Sequence, residues 1–261
     1  MGVEYDGSLF SGWQIQIDRR TVQAELERAL SSVAGKRDIR VVGAGRTDAG
    51  VHAFGQVFHF DAPVAREPSA WVSGCNALTP EGITVNWAKF VKDDFHARFS
   101  ALSRTYTYIL LNRQTRPGIM AGRVGWYPKK LSVTKIEKGA SFLIGNHDFS
   151  AFRNIQCQAS TPVRHIFSIT IRRQDSLVEM EFTANGFLHH MVRNIVGSLI
   201  EVGSGTKHPN WIRQVLNSRS RHEAGITFSP DGLILTNVGY DESWGIPSSN
   251  NSIMFFWGLK R

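Results

Sequence analysis

Cysteine is scarce in this chain: of 261 residues only Cys75 and Cys157 are cysteines, far apart and in no CxxC arrangement. That excludes a disulfide scaffold and a cysteine-based metal cage, and the expectation is two free thiols in a reducing compartment. Long apolar runs are missing too. None approaches the ~20 residues that span a bilayer. Residues 1–6 carry no charged-then-apolar signal pattern, and Asp6 stands where a myristoylation site takes Ser or Thr. The expectation is a soluble cytoplasmic protein with no membrane partner. Hydrophobic content of 42% is a globular value, enough for one large domain or two closely joined halves.

Acid is missing from two stretches. Residues 98–130 hold seven basic side chains and no Asp or Glu, and residues 149–174 hold four more, again with none. With these eleven set apart, the other 19 Lys and Arg are outnumbered by 22 Asp and Glu, so the net +8 resides in two segments. Tyr106, Tyr108, Trp126, Tyr127, Phe149 and Phe152 share those segments. Clustered arginine beside aromatics points to a polyanion, and nucleic acid is the leading partner.

The order of elements repeats. Val3-Glu4-Tyr5 begins a strand, Thr21 caps a helix with Val22, Leu26, Ala29, Leu30 and Val33 at helical spacing, and residues 39–42 and 56–60 read as strands. Pro68 starts a second helix and residues 83–87 form a closing strand. The second half opens on a strand at 104–111. Ser132 caps a helix ended by Gly145, strands follow at 166–171 and 177–182, and a helix spans about 188–202. A short helix near 211–216 precedes a last strand at 233–238. Each half is β-α-β-β-α-β, the ferredoxin- or RRM-like unit. The expected fold class is therefore α+β: two such halves, 1–100 and 101–245, joined into one mixed, mainly antiparallel sheet with helices on one face and a central RNA-binding cleft. Residues 246–261 read as a tail, a Ser/Asn linker followed by the apolar run 253–257.

One carboxylate stands out. Gly43-Ala44-Gly45-Arg46-Thr47-Asp48-Ala49-Gly50-Val51-His52 places Asp48 between a cation and a turn glycine, with strands on either side. Two readings are open: a hairpin loop whose Asp-Ala-Gly forms the turn, or a loop that holds a reactive carboxylate. Tyr106 and Tyr108 lie two apart in a strand and share a face, a stacking surface for an extruded base or a pair of which one is core. Arg193 sits in an apolar helix, so it is either paired with an acid, for which Asp48 is suited, or snorkels to solvent.

Tyr5-Asp6-Gly7 with Gly12-Trp13-Gln14, Gly45-Arg46-Thr47-Asp48-Ala49-Gly50-Val51-His52, Asp94-Phe95-His96-Ala97-Arg98-Phe99-Ser100 with Arg104 and Tyr106, and Phe187-Leu188-His189-His190-Met191-Val192-Arg193-Asn194 occur in that order. Together they resemble the motifs of TruA-type tRNA pseudouridine synthases, over residues 3 to about 240. The resemblance implies isomerisation of uridines in the anticodon stem-loop of tRNAs by a homodimer that uses no cofactor and no metal. It makes Asp48 the nucleophile, Tyr106 the residue touching the target base, Arg46 the residue that helps evict it, and Arg193 the partner of Asp48. Arg66, His96, Arg98, Arg153 and Arg164 are the further candidate tRNA contacts.

Two competing classes remain for comparison. A metal hydrolase is suggested by His52, His59, His189 and His190, but adjacent histidines on a helix point about 100° apart and no cysteine pair accompanies them. A non-catalytic RNA-binding module differs only in lacking turnover. One departure from the family's pattern is the start: Val3 has a short lead-in, so either the sheet tolerates a short central first strand or the natural start differs from the one given.

Overall fold

The computed structural model describes residues 1–36 and 38–248, and the apolar run expected at 253–257 lies outside the described residues. The described residues divide into two compact units, one of residues 1–102 with 234–248, the other of residues 103–233. The sequence reading carried the second half through 245. Both units mix helices with a mainly antiparallel sheet, the α+β class expected. Among the described residues no helix is long and apolar enough to cross a membrane.

In chain order the elements begin β1 (Gly2–Tyr5), α1 (Val22–Ala34), β2 (Val42–Gly43), β3 (His52–His59), α2 (Pro68–Leu78) and β4 (Ile83–Trp87). They continue with β5 (Ala101–Leu111), β6 (Gly125–Trp126), α3 (Val133–Ala140), β7 (Gly145–Asp148), β8 (Val163–Gln174) and β9 (Leu177–Ala184). The series closes with α4 (Met191–Gly203), α5 (Asn210–Ser218) and β10 (Leu233–Tyr240).

In the first unit the strand order is β4-β1-β3-β10, with β1 antiparallel to both neighbours and β10 parallel to β3. The four residues of β1 are paired on both edges: Gly2 faces Val57 on one side and Trp87 on the other. A Cβ at Gly2 would fall 2.2 Å from the Trp87 indole, so the ring lies across the strand. Helix α1 buries Val22, Leu26, Ala29 and Leu30 completely, as its spacing predicts. Thr21 stands at its N-cap, but its hydroxyl makes no capping bond and is buried without a partner among the described residues. Pro68 opens α2. Burial within that helix raises the Cys75 thiol to about 11, which leaves it protonated and inert.

The strand expected at 39–42 shrinks to Val42–Gly43. The reason is a side chain: Glu27 of α1 accepts from the Val41 N–H at 3.0 Å and pairs with Arg40 at 3.0 Å. The Ile39 N–H likewise goes to Ser31 Oγ at 3.2 Å. A helix thus takes donors that a neighbouring strand would have used.

The second unit orders its strands β5-β9-β8-β7, all antiparallel, with β6 parallel to β5. Ser132 caps α3 by accepting from the Lys135 N–H at 3.4 Å. That helix ends at Ala140 in a 3-10 turn, and Gly145, expected as its stop, opens β7 at φ +105. Strand β8 runs 12 residues, longer than expected, because its first four pair with β7. Asn112 ties the irregular segment after β6 to the sheet. Its amide donates to the carbonyls of Tyr127 (2.9 Å) and Lys129 (2.7 Å), and its oxygen accepts from Leu131 N–H (3.3 Å) and Arg173 (2.8 Å). Asn112→Leu keeps the size and strands those partners. It should lower unfolding stability by about 2–3 kcal/mol, read from the urea midpoint.

Candidate functional site

Asp48 sits in a tight turn whose form follows from its glycine. The Val51 N–H donates to the Asp48 carbonyl at 3.1 Å, and Gly50 takes φ +80 at the third position, the conformation of a type II turn. The turn reading of Asp-Ala-Gly therefore holds. It also sets Asp48 at the turn's first position, half-buried, directly after an exposed Arg46 and a buried Thr47.

The turn is fixed from below. Thr47 shares a 2.8 Å hydrogen bond with the hydroxyl of Tyr5, from the central strand β1. The carbonyl of Thr47 accepts from the Trp13 N–H at 3.1 Å, and that of Gly45 accepts from the Gln56 amide at 2.9 Å. Ala44 N–H donates to the Val57 carbonyl at 2.7 Å. The segment 6–13, which says little as sequence, is the other half of this construction. Gly12 has φ +91, and a Cβ there would lie 2.7 Å from the Thr47 carbonyl; one at Gly7 would meet the Val51 carbonyl. Tyr5, Gly12, Trp13 and Gln56 are the residues that sequence reasoning missed. The motif positions of three of them were the available signal.

His52 and His59 act as struts. His52 Nδ1 accepts from the Gly7 N–H at 3.1 Å and lies 3.2 Å from the Asp6 carboxylate. His59 Nδ1 accepts from the Ala97 N–H at 3.1 Å. Burial and the neighbouring His96 hold the His59 pKa below the ordinary histidine value. His96 organises its own turn: its Nδ1 accepts from the N–H groups of Arg98 and Phe99, both at 3.2 Å. Arg98 and Arg66 are exposed.

In the second unit Tyr106 and Tyr108 face the same way from β5, and the two differ in their surroundings. Tyr108 is fully buried and donates to the Ser229 carbonyl at 2.9 Å, which makes it the core member of the pair. Tyr106 is 8% exposed, its ring edge-on to Phe187 at 5.2 Å. Arg193 is half-buried on α4 and its Nε donates to the Phe228 carbonyl at 2.8 Å, so it is held among its neighbours. Arg153 and Arg164 are half-exposed, and Arg164 donates to the carbonyls of Thr161 and Val163.

His189 and His190 precede α4, which starts at Met191, later than expected. Their rings stand 4.1 Å apart, so the helical-angle argument against a shared ligand does not apply to them. Asn154 instead engages His190 Nδ1 at 2.8 Å.

Comparison with known proteins is consistent across the chain. A family model described as tRNA pseudouridine synthase matches residues 1–100 and 140–241. Asp48, His96, Arg98 and Arg193 fall within those stretches, and Tyr106 falls between them. A tRNA pseudouridine synthase A of Nitrosomonas eutropha is 53% identical over 248 residues, 95% of this chain and 89% of its own. That of Paraburkholderia phytofirmans is 50% identical over 248 residues, 95% and 92%. That of Dechloromonas aromatica is 49% identical over 254 residues, 97% and 97%.

Gly12→Ala combines a positive φ with a steric conflict at the Thr47 carbonyl. It should destabilise the fold by about 1–3 kcal/mol in chemical unfolding.

Proposed function

The chain belongs to the tRNA pseudouridine synthase family, and from that premise we propose that Asp48 is the nucleophile of its reaction, acting on uridines of the anticodon stem-loop. The reaction itself is the isomerisation of uridine to pseudouridine in tRNA. The bond from C1′ of the ribose to N1 of uracil breaks, the base turns, and C1′ bonds to C5; the proton leaves C5 and N1 gains one. Atoms and electrons balance within the substrate, so the chemistry calls for no redox or group-transfer cofactor.

What carries this reading is the turn beneath Asp48, anchored through Thr47 to a strand paired on both edges. A carboxylate presented on such a support keeps its geometry while charge develops on the sugar. In the proposed sequence the target base leaves its stack, at a cost of a few kcal/mol, and the exposed Arg46 occupies the vacated space. Asp48 then acts at C1′, taking up the positive charge as uracil departs. Tyr106 stacks on the loosened base, and its hydroxyl moves the proton from C5. Arg193 is proposed as the counter-ion that keeps Asp48 ionised; its Nε, held by the Phe228 carbonyl, supports a fixed guanidinium. Arg66, Arg98, Arg153, Arg164 and His96 are proposed to contact tRNA. The exposure of Arg66 and Arg98 supports this for those two. We assign the enzyme a cytoplasmic location and a homodimeric state on the same premise.

Asp48→Asn tests the assignment. The variant should bind tRNA with an affinity within a few-fold of the parent and form no pseudouridine, measured by tritium release from C5-labelled uridine. Undiminished release would overturn the nucleophile.

A further inference from the structure

Thr47 is buried next to a residue that is not, and its side chain is spent downward. Its hydroxyl meets that of Tyr5 at 2.8 Å across 42 residues of sequence, and Tyr5 itself is buried, its ring 6.1 Å from that of Trp13. Trp13 in turn packs 6.3 Å from Phe58 of β3 and donates its N–H to the Thr47 carbonyl. Gln56 of β3 holds the carbonyl of Gly45 two residues earlier. Thr47 is thus gripped at both of its oxygens, and β-branching gives its side chain few rotamers.

We propose that Tyr5 and Thr47 are positioning residues for the isomerisation: their shared hydrogen bond sets the direction in which the Asp48 carboxylate leaves the backbone. The inference rests on Asp48 being the nucleophile. A tilt at Thr47 carries directly into the next residue, and a displacement on the order of 1 Å from productive geometry costs about a hundredfold in rate. Binding of tRNA does not require that alignment, so the loss falls on kcat and not on KM. Tyr5 takes no part in proton transfer. Burial holds its phenol pKa far above the ordinary value, so the hydrogen bond persists unchanged across the working pH range.

The test uses the full chain with Tyr5→Phe, Thr47→Val, the pair combined, and Thr47→Ser. Rates are expressed per tRNA-binding-competent molecule, counted by stoichiometric titration, so partly unfolded protein does not enter. Tyr5→Phe and Thr47→Val should each lower kcat by about tenfold to a hundredfold with KM unchanged. The combined variant should be no slower than the worse single one, because both remove the same bond. Thr47→Ser, which keeps the hydroxyl, should recover most of the rate, and all variants should keep the parent's pH profile. Parent-like kcat in both single variants, with Asp48→Asn inactive, would overturn the positioning role and leave the nucleophile standing. A loss confined to KM, additive losses, or a shifted pH profile would overturn it as well. An active Asp48→Asn removes the premise instead.

Discussion

A single hydrogen bond between two buried hydroxyls, Tyr5 to Thr47, joins a strand paired on both edges to the turn that carries Asp48. Everything proposed for the chemistry depends on that turn being rigid. Its type II form comes from Gly50, its close approach to segment 6–13 comes from Gly7 and Gly12, and its depth comes from the apolar rings of Tyr5, Trp13 and Phe58. Each feature is an ordinary device of turns and sheets. Together they hold one carboxylate half-exposed on a support with little freedom to move.

The basic segments divide their work between folding and charge. Arg173 completes the Asn112 network and Arg172 pairs with Glu179 at 3.3 Å, while Arg104 donates to the Asn185 carbonyl and Arg113 to those of Thr115 and Arg116. The cationic excess that the composition displays is therefore partly committed inside the second unit. Arginines do both tasks at once, because a guanidinium that donates to a carbonyl keeps its full charge.

Much of the fold was legible in the sequence. The spacing of Val22, Leu26, Ala29 and Leu30 gave α1, Pro68 marked the start of α2, and Ser132 capped α3 as expected. Strands β6 and β7, with two and four residues, are too short to leave an alternation. Residues 39–41 look like a strand and are not one, because Glu27 and Ser31 reach across from α1 to their N–H groups. At the site, Asp48 and its turn were visible from Arg46-Thr47-Asp48-Ala49-Gly50. The support beneath them was not. A contact between residues 5 and 47 leaves no periodic trace, and Gly12 shows its purpose only when its φ and the Thr47 carbonyl are seen together.

The most direct measurement is incubation of the full chain with unmodified tRNA transcripts, followed by mapping of pseudouridine at each position. The role proposed for Asp48 predicts conversion of uridines to pseudouridine, at the proposed anticodon stem-loop positions, with no added cofactor or metal. Tight, stoichiometric tRNA binding without a single converted uridine would contradict it, and would make the chain an RNA-binding module.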